Sequence, residues 1–378
     1  MPGMEKVDRP SRLAIPALVA WAVVLTAAGA GLVLSGRVAV GVVLVVLGVV
    51  PSVALVGAAV AVTCVAFDGM ERFLGDFATG EEDLETLAHA MRVGHARYPA
   101  EQLDRLMANF YEQTPVTNAW FDEHRVDFRQ VEITSEDGYG LVGHAAVLAP
   151  DSHDWYVFCH GLGGGWKNGL RHARRFAGRG YNLLLVEQRA QGASGGPVIG
   201  GGHLERRDAV LWCRWICEQD ACARIVLTGE SLGGATVLEA AGESDLPSQV
   251  ACVISDSGYA DFWNASACLL SREVLGHKVS LAHPLLDLVR VFFRARRGGY
   301  DLADCSAVSA VARSRVPILL IQGGADDLIV PQNAYRLDAA CSSEHELLVV
   351  EWGGHCSSVV MDPVTYYERV MRFVDAHR

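Results

Sequence analysis

Residues 224–242 constrain this chain more than any other stretch. They read R-I-V-L-T-G-E-S-L-G-G-A-T-V-L-E-A-A-G, which is a short apolar run, the pentapeptide G-E-S-L-G at 229–233, and an alanine-rich helical pattern. In a G-x-S-x-G turn between a strand and a helix, the serine backbone is cramped, and glycines two positions away avoid a collision. The pattern predicts that Ser231 presents its hydroxyl at the carboxyl end of a buried strand, above a helix N-terminus.

Two long apolar stretches lie at the front of the chain. Residues 13–34 and 38–67 contain no Asp, Glu, Lys, Arg or His, and only residues 35–37 separate them. At about 1.5 Å per helical residue, each can cross a hydrocarbon core of roughly 30 Å, and each exceeds the h-region of a signal peptide, which is about 7 to 15 residues. We therefore predict two transmembrane helices within residues 13–67, after an N-terminal tail of residues 1–12.

The distribution of basic residues and cysteines favours a cytoplasmic location for the rest of the chain. Three basic residues lie in the tail 1–12, whereas the turn between the spans holds only Arg37, so the positive-inside rule places both ends of the hairpin in the cytoplasm. Ten cysteines are present without the paired spacing of a small disulfide scaffold. We expect reduced thiols and a multi-pass protein of the cell membrane.

The charge balance excludes one class of partner. The formal net charge is −12, and the residues after Phe67 hold 28 basic and 42 acidic side chains. This acidic excess argues against nucleic acid as a partner, and it gives no electrostatic attraction to anionic lipid. Membrane residence is therefore expected to come from the apolar hairpin.

Beyond the hairpin, a change of pattern divides the chain in two. Residues 68–124 are charged and helix-like, and we predict linker helices that pack on the following domain or on the membrane surface. From residue 125 to 378, a predicted strand pair is followed by alternating strands and helices. The predicted strands are 126–134, 141–148, 155–159, 182–187, 224–228, 250–255, 317–323 and 346–351, and the predicted helices are 168–178, 206–219, 232–242, 332–341 and 359–377.

This alternation favours one fold class. An antiparallel start followed by alternating strands and helices predicts a mostly parallel sheet with helices on both faces, which is the plan of the α/β-hydrolase fold. An apolar insertion, residues 258–315, interrupts the alternation. It lies where this fold often carries a helical cap over the active site, so some of its side chains are candidates for an acyl pocket.

A nucleophilic serine needs a base and an acid, and in this fold they follow the serine in the order acid, then histidine. His355 lies in G-G-H-C directly after the last predicted strand, where a loop would present it. The acid is expected in G-G-A-D-D at 323–327, with Asp326 preferred and Asp327 as the alternative. Asp256, at the end of an earlier predicted strand, is a further candidate.

The tetrahedral oxyanion of acyl transfer needs two backbone N–H donors. One is expected from Leu232, directly after the nucleophile, and the other from Leu162 in the loop H-G-L-G-G-G at 160–165. His160 is expected to shape this loop through hydrogen bonds. The glycine run lacks the form of a phosphate-binding loop, and Cys213 and Cys217 have no partners that would complete a zinc pattern, so neither cofactor nor metal is expected.

Taken together, these motifs resemble the bacterial α/β-hydrolases that are similar to prolyl oligopeptidase and serine aminopeptidases, and most of all a subgroup with an N-terminal membrane anchor. The resemblance covers residues 125–378 and is carried by H-G at 160–161, E-Q-R-A-Q-G-A-S-G-G at 187–196, G-E-S-L-G-G at 229–234, Q-G-G-A-D at 322–326 and G-H at 354–355. The family usually has D-x-R-G-x-G-x-S and H-G-x-x-D, so Glu187, Ala190 and Gln322 depart from its pattern.

The resemblance implies a role for each candidate. Ser231 would be the nucleophile, Asp326 the acid and His355 the base, with Leu162 and Leu232 as oxyanion donors. The family includes esterases, thioesterases, lipases and peptidases, so no single substrate follows.

The sequence therefore predicts a serine hydrolase at the membrane that cleaves an ester or similar acyl bond of a small-molecule or lipidic substrate through an acyl-serine intermediate. One alternative is a peptidase of the prolyl-oligopeptidase or aminopeptidase type, which usually needs acidic residues that dock a free amino terminus. Another is a catalytically silent, membrane-tethered binding module. The retention of serine, acid and histidine in the required order argues against that module.

Overall fold

A computed structural model describes residues 14–64, 84–265, 271–274, 277–280, 282–296 and 299–378. The tail 1–12, with the basic residues used above to predict orientation, lies outside the described residues. The chain divides into two compact units. One contains the described parts of 70–262 and 305–378, and the other contains the described parts of 6–69 and 263–304.

The helices and strands are numbered here in chain order. The helices are α1 Ala14–Leu34, α2 Val38–Cys64, α3 Leu84–Gly94, α4 Ala100–His124, α5 Leu170–Ala177, α6 Glu205–Gln219, α7 Leu232–Ala241, α8 Ala282–Arg296, α9 Ala307–Val311, α10 Gln332–Ala340, α11 Ser358–Met361 and α12 Pro363–Ala376. The strands are β1 Arg129–Thr134, β2 Gly140–Ala146, β3 Asp154–Cys159, β4 Asn182–Val186, β5 Arg224–Glu230, β6 Val250–Asp256, β7 Ser271–Val274, β8 His277–Ser280, β9 Ile318–Gly323 and β10 His345–Val350.

Eight strands form the central sheet, in the order β1-β2-β4-β3-β5-β6-β9-β10. Strand β2 is antiparallel to β1 and to β4, whereas all the later neighbours are parallel. Every residue of β3 and β4 is buried, as expected for strands covered on both faces. This topology confirms the predicted α/β-hydrolase fold, and it places β5, the strand that leads to Ser231, in the middle of the sheet.

Two segments differ from the sequence-based prediction. The helix predicted over 359–377 is two helices, α11 and α12, because Asp362 caps α12 by accepting a hydrogen bond from the N–H of Thr365 (3.2 Å) and Pro363 occupies its first turn. The insertion predicted as a helical cap over 258–315 contains two helices, α8 and α9, but also an antiparallel strand pair, β7 and β8.

Helices α3 and α4, from the segment predicted as a linker, belong to the same unit as the sheet. Their apolar side chains join the core cluster that also contains residues of α11 and α12; from α3 and α4 these are Ala88, Leu106, Met107 and Phe110. The side chain of Asn109 donates to the backbone carbonyls of Val360 (2.9 Å) and Met361 (3.2 Å). The two helices are therefore packed on the hydrolase domain rather than extended away from it.

The other unit is built on α1 and α2, which pack against each other, with α8 in contact with both. Both helices are long and apolar enough to cross a membrane: mean hydropathy is 2.2 over Pro16–Leu34 and 2.8 over Val38–Ala59. Among the described residues, these are the two helices that combine this length with this hydropathy.

Glycines set the distance between α1 and α2. A Cβ on Gly41 would lie 2.5 Å from the carbonyl oxygen of Gly29, and a Cβ on Gly29 would lie 2.6 Å from the carbonyl oxygen of Gly41. Small residues of this kind let two helix backbones approach closely. By contrast, a Cβ on Gly31 or Gly57 would meet nothing within 4 Å.

We expect Gly41→Leu to separate α1 from α2, because its side chain would have to occupy the space of the Gly29 backbone. Backbone amides of both helices should then exchange with deuterium faster in detergent, as measured by mass spectrometry. Gly31→Leu adds the same side chain where there is open space and should leave exchange unchanged. Equal exchange in the two variants would contradict the close glycine contact.

Candidate active site

The turn around Ser231 is a tight strand-to-helix elbow. Strand β5 ends at Glu230, α7 begins at Leu232, and Ser231 between them has a φ of 54°, in the left-handed region that non-glycine residues rarely adopt. A Cβ on Gly229 would collide with the backbone of Gly233. A Cβ on Gly233 would collide with the backbone carbonyl at the end of β3. Both glycines of the motif are therefore required by backbone packing.

The three residues selected from the sequence lie in one hydrogen-bonded row. The Nε2 atom of His355 is 2.9 Å from Ser231 Oγ, and its Nδ1 atom is 2.9 Å from Asp326 Oδ2. An ionised carboxylate accepts the Nδ1–H, which leaves Nε2 as the acceptor for the serine hydroxyl. The arrangement can take a proton from Ser231 as its oxygen attacks an electrophile.

Asp326 is held by several donors at the carboxyl end of β9. Its side chain is fully buried, and its Oδ1 accepts from the backbone N–H groups of Leu328 (3.0 Å) and Ile329 (2.8 Å). The Gln322 amide donates to Oδ2 (3.2 Å) and also to the carbonyl oxygen of Ile329 (2.9 Å). Gln322, a departure from the usual family pattern, thus contributes an uncharged donor to this carboxylate.

The two other carboxylates considered from the sequence have partners other than His355. The side chain of Asp327 is 78% exposed and faces Arg97 across 3.5 Å. Asp256 is buried, and its carboxylate accepts a hydrogen bond from Ser257 Oγ (2.9 Å). His355 is thus hydrogen-bonded to the preferred acid, Asp326.

The loop that follows β3 runs beside the serine. A Cβ on Gly161 would lie 3.2 Å from Ser231 Cβ, so the loop approaches as closely as a glycine allows. Leu162 follows directly in this loop, and Leu232 begins α7 on the other side of Ser231. The backbone of both predicted oxyanion donors therefore passes close to the serine.

The side chain of His160 and the loop 187–196 fix the shape of the loop that follows β3. The Nδ1 atom of His160 bonds the carbonyl oxygen of Gly161 (2.7 Å) and its Nε2 accepts from the backbone N–H of Gln188 (3.1 Å), which defines the tautomer. Burial lowers the pKa of His160, so the ring stays neutral. Gln191 Oε1 accepts from the N–H of Gly163 (2.8 Å). Gln188 and Gln191 both lie in the motif at 187–196, but its pattern alone predicts no role for either.

The 187–196 loop is itself fixed by buried charges. The Glu187 carboxylate accepts from the backbone N–H of Ala193 and pairs with His144 (2.7 Å). Arg189 makes two bonds to the Asp208 carboxylate on α6, at 2.6 and 2.7 Å, with both side chains buried. The replacement of the usual aspartate by Glu187 therefore keeps a carboxylate that closes the turn.

Beneath the elbow lies a second buried polar row. His172 Nε2 is 2.9 Å from Glu230 Oε1, and its Nδ1 is 3.2 Å from the hydroxyl of Tyr367. A small cavity beside this row is lined in part by His172, Glu230 and Asp256. Burial, and then the negative charge of Glu230, raises the pKa of Asp256 to about 7. This part of the core therefore holds two carboxyl groups close to the strand ends that form the site.

Among the described residues, one group of side chains could hold a metal ion. His153, Asp220 and Cys222 have ligand atoms within 4.8 Å of one another. His153 precedes β3, so this group lies at the end of the strand opposite to the loop beside Ser231. It takes no part in the serine–histidine–aspartate row.

Comparisons with known proteins agree with this fold. Residues 94–279, which include Ser231 but end before Asp326, match the family X-Pro dipeptidyl-peptidase (S15 family). The esterase Pf2001 of Pyrococcus furiosus superposes with a TM-score of 0.54 at 20% identity, over 68% of this chain and 95% of the esterase. The chain therefore has the α/β-hydrolase fold.

Two further proteins are similar to this chain. The acylaminoacyl peptidase of Pyrococcus horikoshii superposes with a TM-score of 0.50 at 18% identity, over 69% of this chain and 43% of the peptidase. The uncharacterized protein YqkD of Bacillus subtilis is 28% identical over 262 residues, which are 66% of this chain and 81% of YqkD. Neighbours of both the esterase and the peptidase kind thus share the fold.

We expect Asp256→Asn to change how stability depends on pH. Asp256 binds its proton more tightly in the folded than in the unfolded chain, so its stabilising effect is complete below about pH 4 and is lost as pH rises through about 7. The wild type should therefore lose up to about 4 kcal/mol relative to the asparagine variant over this range. Denaturant unfolding at several pH values measures the difference. Asp327→Asn, at an exposed carboxylate, is the control and should give no such trend. If the difference in free energy of unfolding between the wild type and Asp256→Asn did not change with pH, the raised pKa of Asp256 would be contradicted.

Proposed function

We propose that this hydrolase cleaves an ester or similar acyl bond through a covalent acyl intermediate on Ser231. The observation that carries the proposal is the row of two 2.9 Å hydrogen bonds from Ser231 through His355 to Asp326. Nucleophile, base and acid are in the order and geometry of serine hydrolases. The chemistry needs no cofactor or metal.

In the first half-reaction, His355 Nε2 takes the Ser231 proton as Oγ attacks the acyl carbon. The resulting imidazolium is stabilised by Asp326, and it then protonates the leaving alcohol as the tetrahedral intermediate collapses. In the second half-reaction, water attacks the acyl-enzyme with His355 again as base, and His355 then returns this proton to Ser231 Oγ as the carboxylic acid leaves. The buried and fully hydrogen-bonded Asp326 suits this role because it is held in one orientation.

The backbone N–H groups of Leu162 and Leu232 are proposed to bind the oxyanion. The contact of Gly161 with Ser231 supports the first assignment, and the position of Leu232 at the first turn of α7 supports the second. Donors fixed by the backbone need no reorganisation when charge develops, and the loss of one typically costs about 10²- to 10³-fold in rate.

Two features support a lipidic or otherwise apolar acyl substrate at a membrane. Helices α1 and α2 have the length and hydropathy of membrane spans, and we propose that they anchor the hydrolase as a hairpin. The fold neighbour from Pyrococcus furiosus is an esterase. None of the cysteines whose side chains are described forms a disulfide, which favours a cytoplasmic location for the catalytic domain.

A peptidase is the second candidate, and one observation favours it. The family match over residues 94–279 is to X-Pro dipeptidyl-peptidases, and the fold neighbour from Pyrococcus horikoshii is an acylaminoacyl peptidase. An amide substrate would use the same Ser231 chemistry, so only turnover separates the two functions.

We expect the purified full chain to react with a fluorophosphonate probe at Ser231 and to hydrolyse acyl esters of increasing chain length faster than aminoacyl amides. Ser231→Ala should abolish labelling, and Asp326→Asn should lower kcat on the order of 10⁴-fold, because the histidine tautomer is no longer fixed. The neighbouring variant Asp327→Asn serves as the matched control and should be unaffected. An unreactive wild type would sink the enzyme proposal, and faster amide turnover would favour the peptidase.

The proposed topology predicts the reactivity of Cys222, which is an exposed free thiol. A membrane-impermeant maleimide should label it only after cells are lysed, with Cys222→Ser as the control for site. Labelling of this cysteine in intact cells would place the catalytic domain outside.

A further inference from the structure

His95 follows the end of α3, far from Ser231 in sequence, yet it reaches the loop that carries His355. Its Nδ1 atom is 2.8 Å from the carbonyl oxygen of Met91, and its Nε2 atom is 3.1 Å from Ser357 Oγ. The spacing of His95 and His89 in the sequence favours solvated or core histidines over a metal site or a pH switch. Both of its ring nitrogens are therefore engaged, one within its own segment and one on the His355 loop.

The donor and the acceptor of each hydrogen bond around His95 can be assigned. A backbone carbonyl can only accept, so Nδ1 carries the proton and Nε2 of the neutral ring is an acceptor. The Ser357 hydroxyl must then donate to Nε2, which leaves its lone pairs for the backbone N–H of Gly354 (2.7 Å). The backbone N–H of Ser357 in turn donates to the carbonyl oxygen of Gly354 (3.2 Å). Every polar atom of this short chain of groups has a partner.

These bonds join residues that flank His355 on both sides in the sequence. Gly354 precedes it, Ser357 follows two residues later, and Ser357 is only 2% exposed. A Cβ on Gly354 would lie 2.7 Å from His95 Nε2 and 2.8 Å from the hydroxyl oxygen of Tyr98, so the loop backbone is pressed against this segment. The bond from the Gly354 N–H to Ser357 Oγ therefore closes the turn that presents His355, and the Ser357 hydroxyl in turn donates to His95.

Tyr98 lies beside His95 and packs against the same loop that carries His355. Its ring meets the His95 ring edge-on at 4.9 Å and the Trp352 ring at 6.1 Å between centroids. Burial, followed by the negative charges of Asp326 and Asp327, raises the pKa of Tyr98 to about 12. It is thus a neutral phenol at physiological pH and lies near the carboxylate that orients His355.

We propose that His95 is a positioning residue for the hydrolysis reaction: by accepting from Ser357 it holds the 354–357 turn, and thereby keeps His355 between Ser231 and Asp326. The inference rests on the proposed function. It makes the segment between α3 and α4 part of the catalytic apparatus. Because His95 contacts the loop and none of the three reacting side chains, it acts through Ser357.

The test compares three variants of the full chain. His95→Leu removes the acceptor, His95→Gln keeps an amide oxygen that can accept from Ser357, and His89→Leu makes the same change at an exposed position of α3. A buried hydroxyl left without its partner relaxes, and a small displacement of a catalytic base is costly. We expect His95→Leu to lower kcat for an acyl ester by about 10-fold or more with KM unchanged, and His95→Gln to restore most of the loss. The His89→Leu variant should match the wild type.

A second readout does not depend on turnover. The proton shared by His355 Nδ1 and Asp326 should give a far-downfield proton resonance, which His95→Leu should shift or broaden and His95→Gln should retain. If the wild type neither labels nor hydrolyses esters or amides, the proposed function fails, while this resonance still decides whether His95 positions the loop. An unchanged resonance and kcat in His95→Leu, or an equal loss in His89→Leu, would overturn the inference.

Discussion

The contact of Gly233 with the backbone of Cys159 is the constraint on which the site depends. It lets α7 begin directly against the end of β3, so the strained Ser231 stands at the junction of two neighbouring parallel strands. The loop after β3 must then pass beside the serine, which brings Gly161 and Leu162 to it. One backbone contact therefore fixes both Ser231, the proposed nucleophile, and the loop expected to carry an oxyanion donor.

The fold and the hydrogen-bonded row of Ser231, His355 and Asp326 could be predicted because their signals are local. Glycines flank Ser231, an apolar strand precedes Asp326, and His355 lies in a loop after a strand, so each could be placed from a short window of sequence. The sequence alone prefers Asp326 but leaves its neighbour Asp327 as an alternative acid. Burial separates them in the structure, where only Asp326 is enclosed by backbone donors.

The supporting contacts could not be predicted, because they join residues distant in sequence. His95 and Ser357 are 262 positions apart, and nothing in the helical pattern around His95 marks it as different from the exposed His89. The break at Asp362 was missed for another reason. Its aspartate–proline pair is a helix-start signal, but it stood inside a longer apolar periodicity that favoured one continuous helix.

The packing of α3 and α4 changes where a self-sufficient enzyme begins. The family resemblance starts at residue 125, but a fragment cut there would uncover the side of the core that Leu106, Met107 and Phe110 close. It would also leave the Ser357 hydroxyl facing solvent instead of an imidazole. A fragment that keeps this core closed therefore has to begin at or before Leu84, so that it includes α3, His95 and α4.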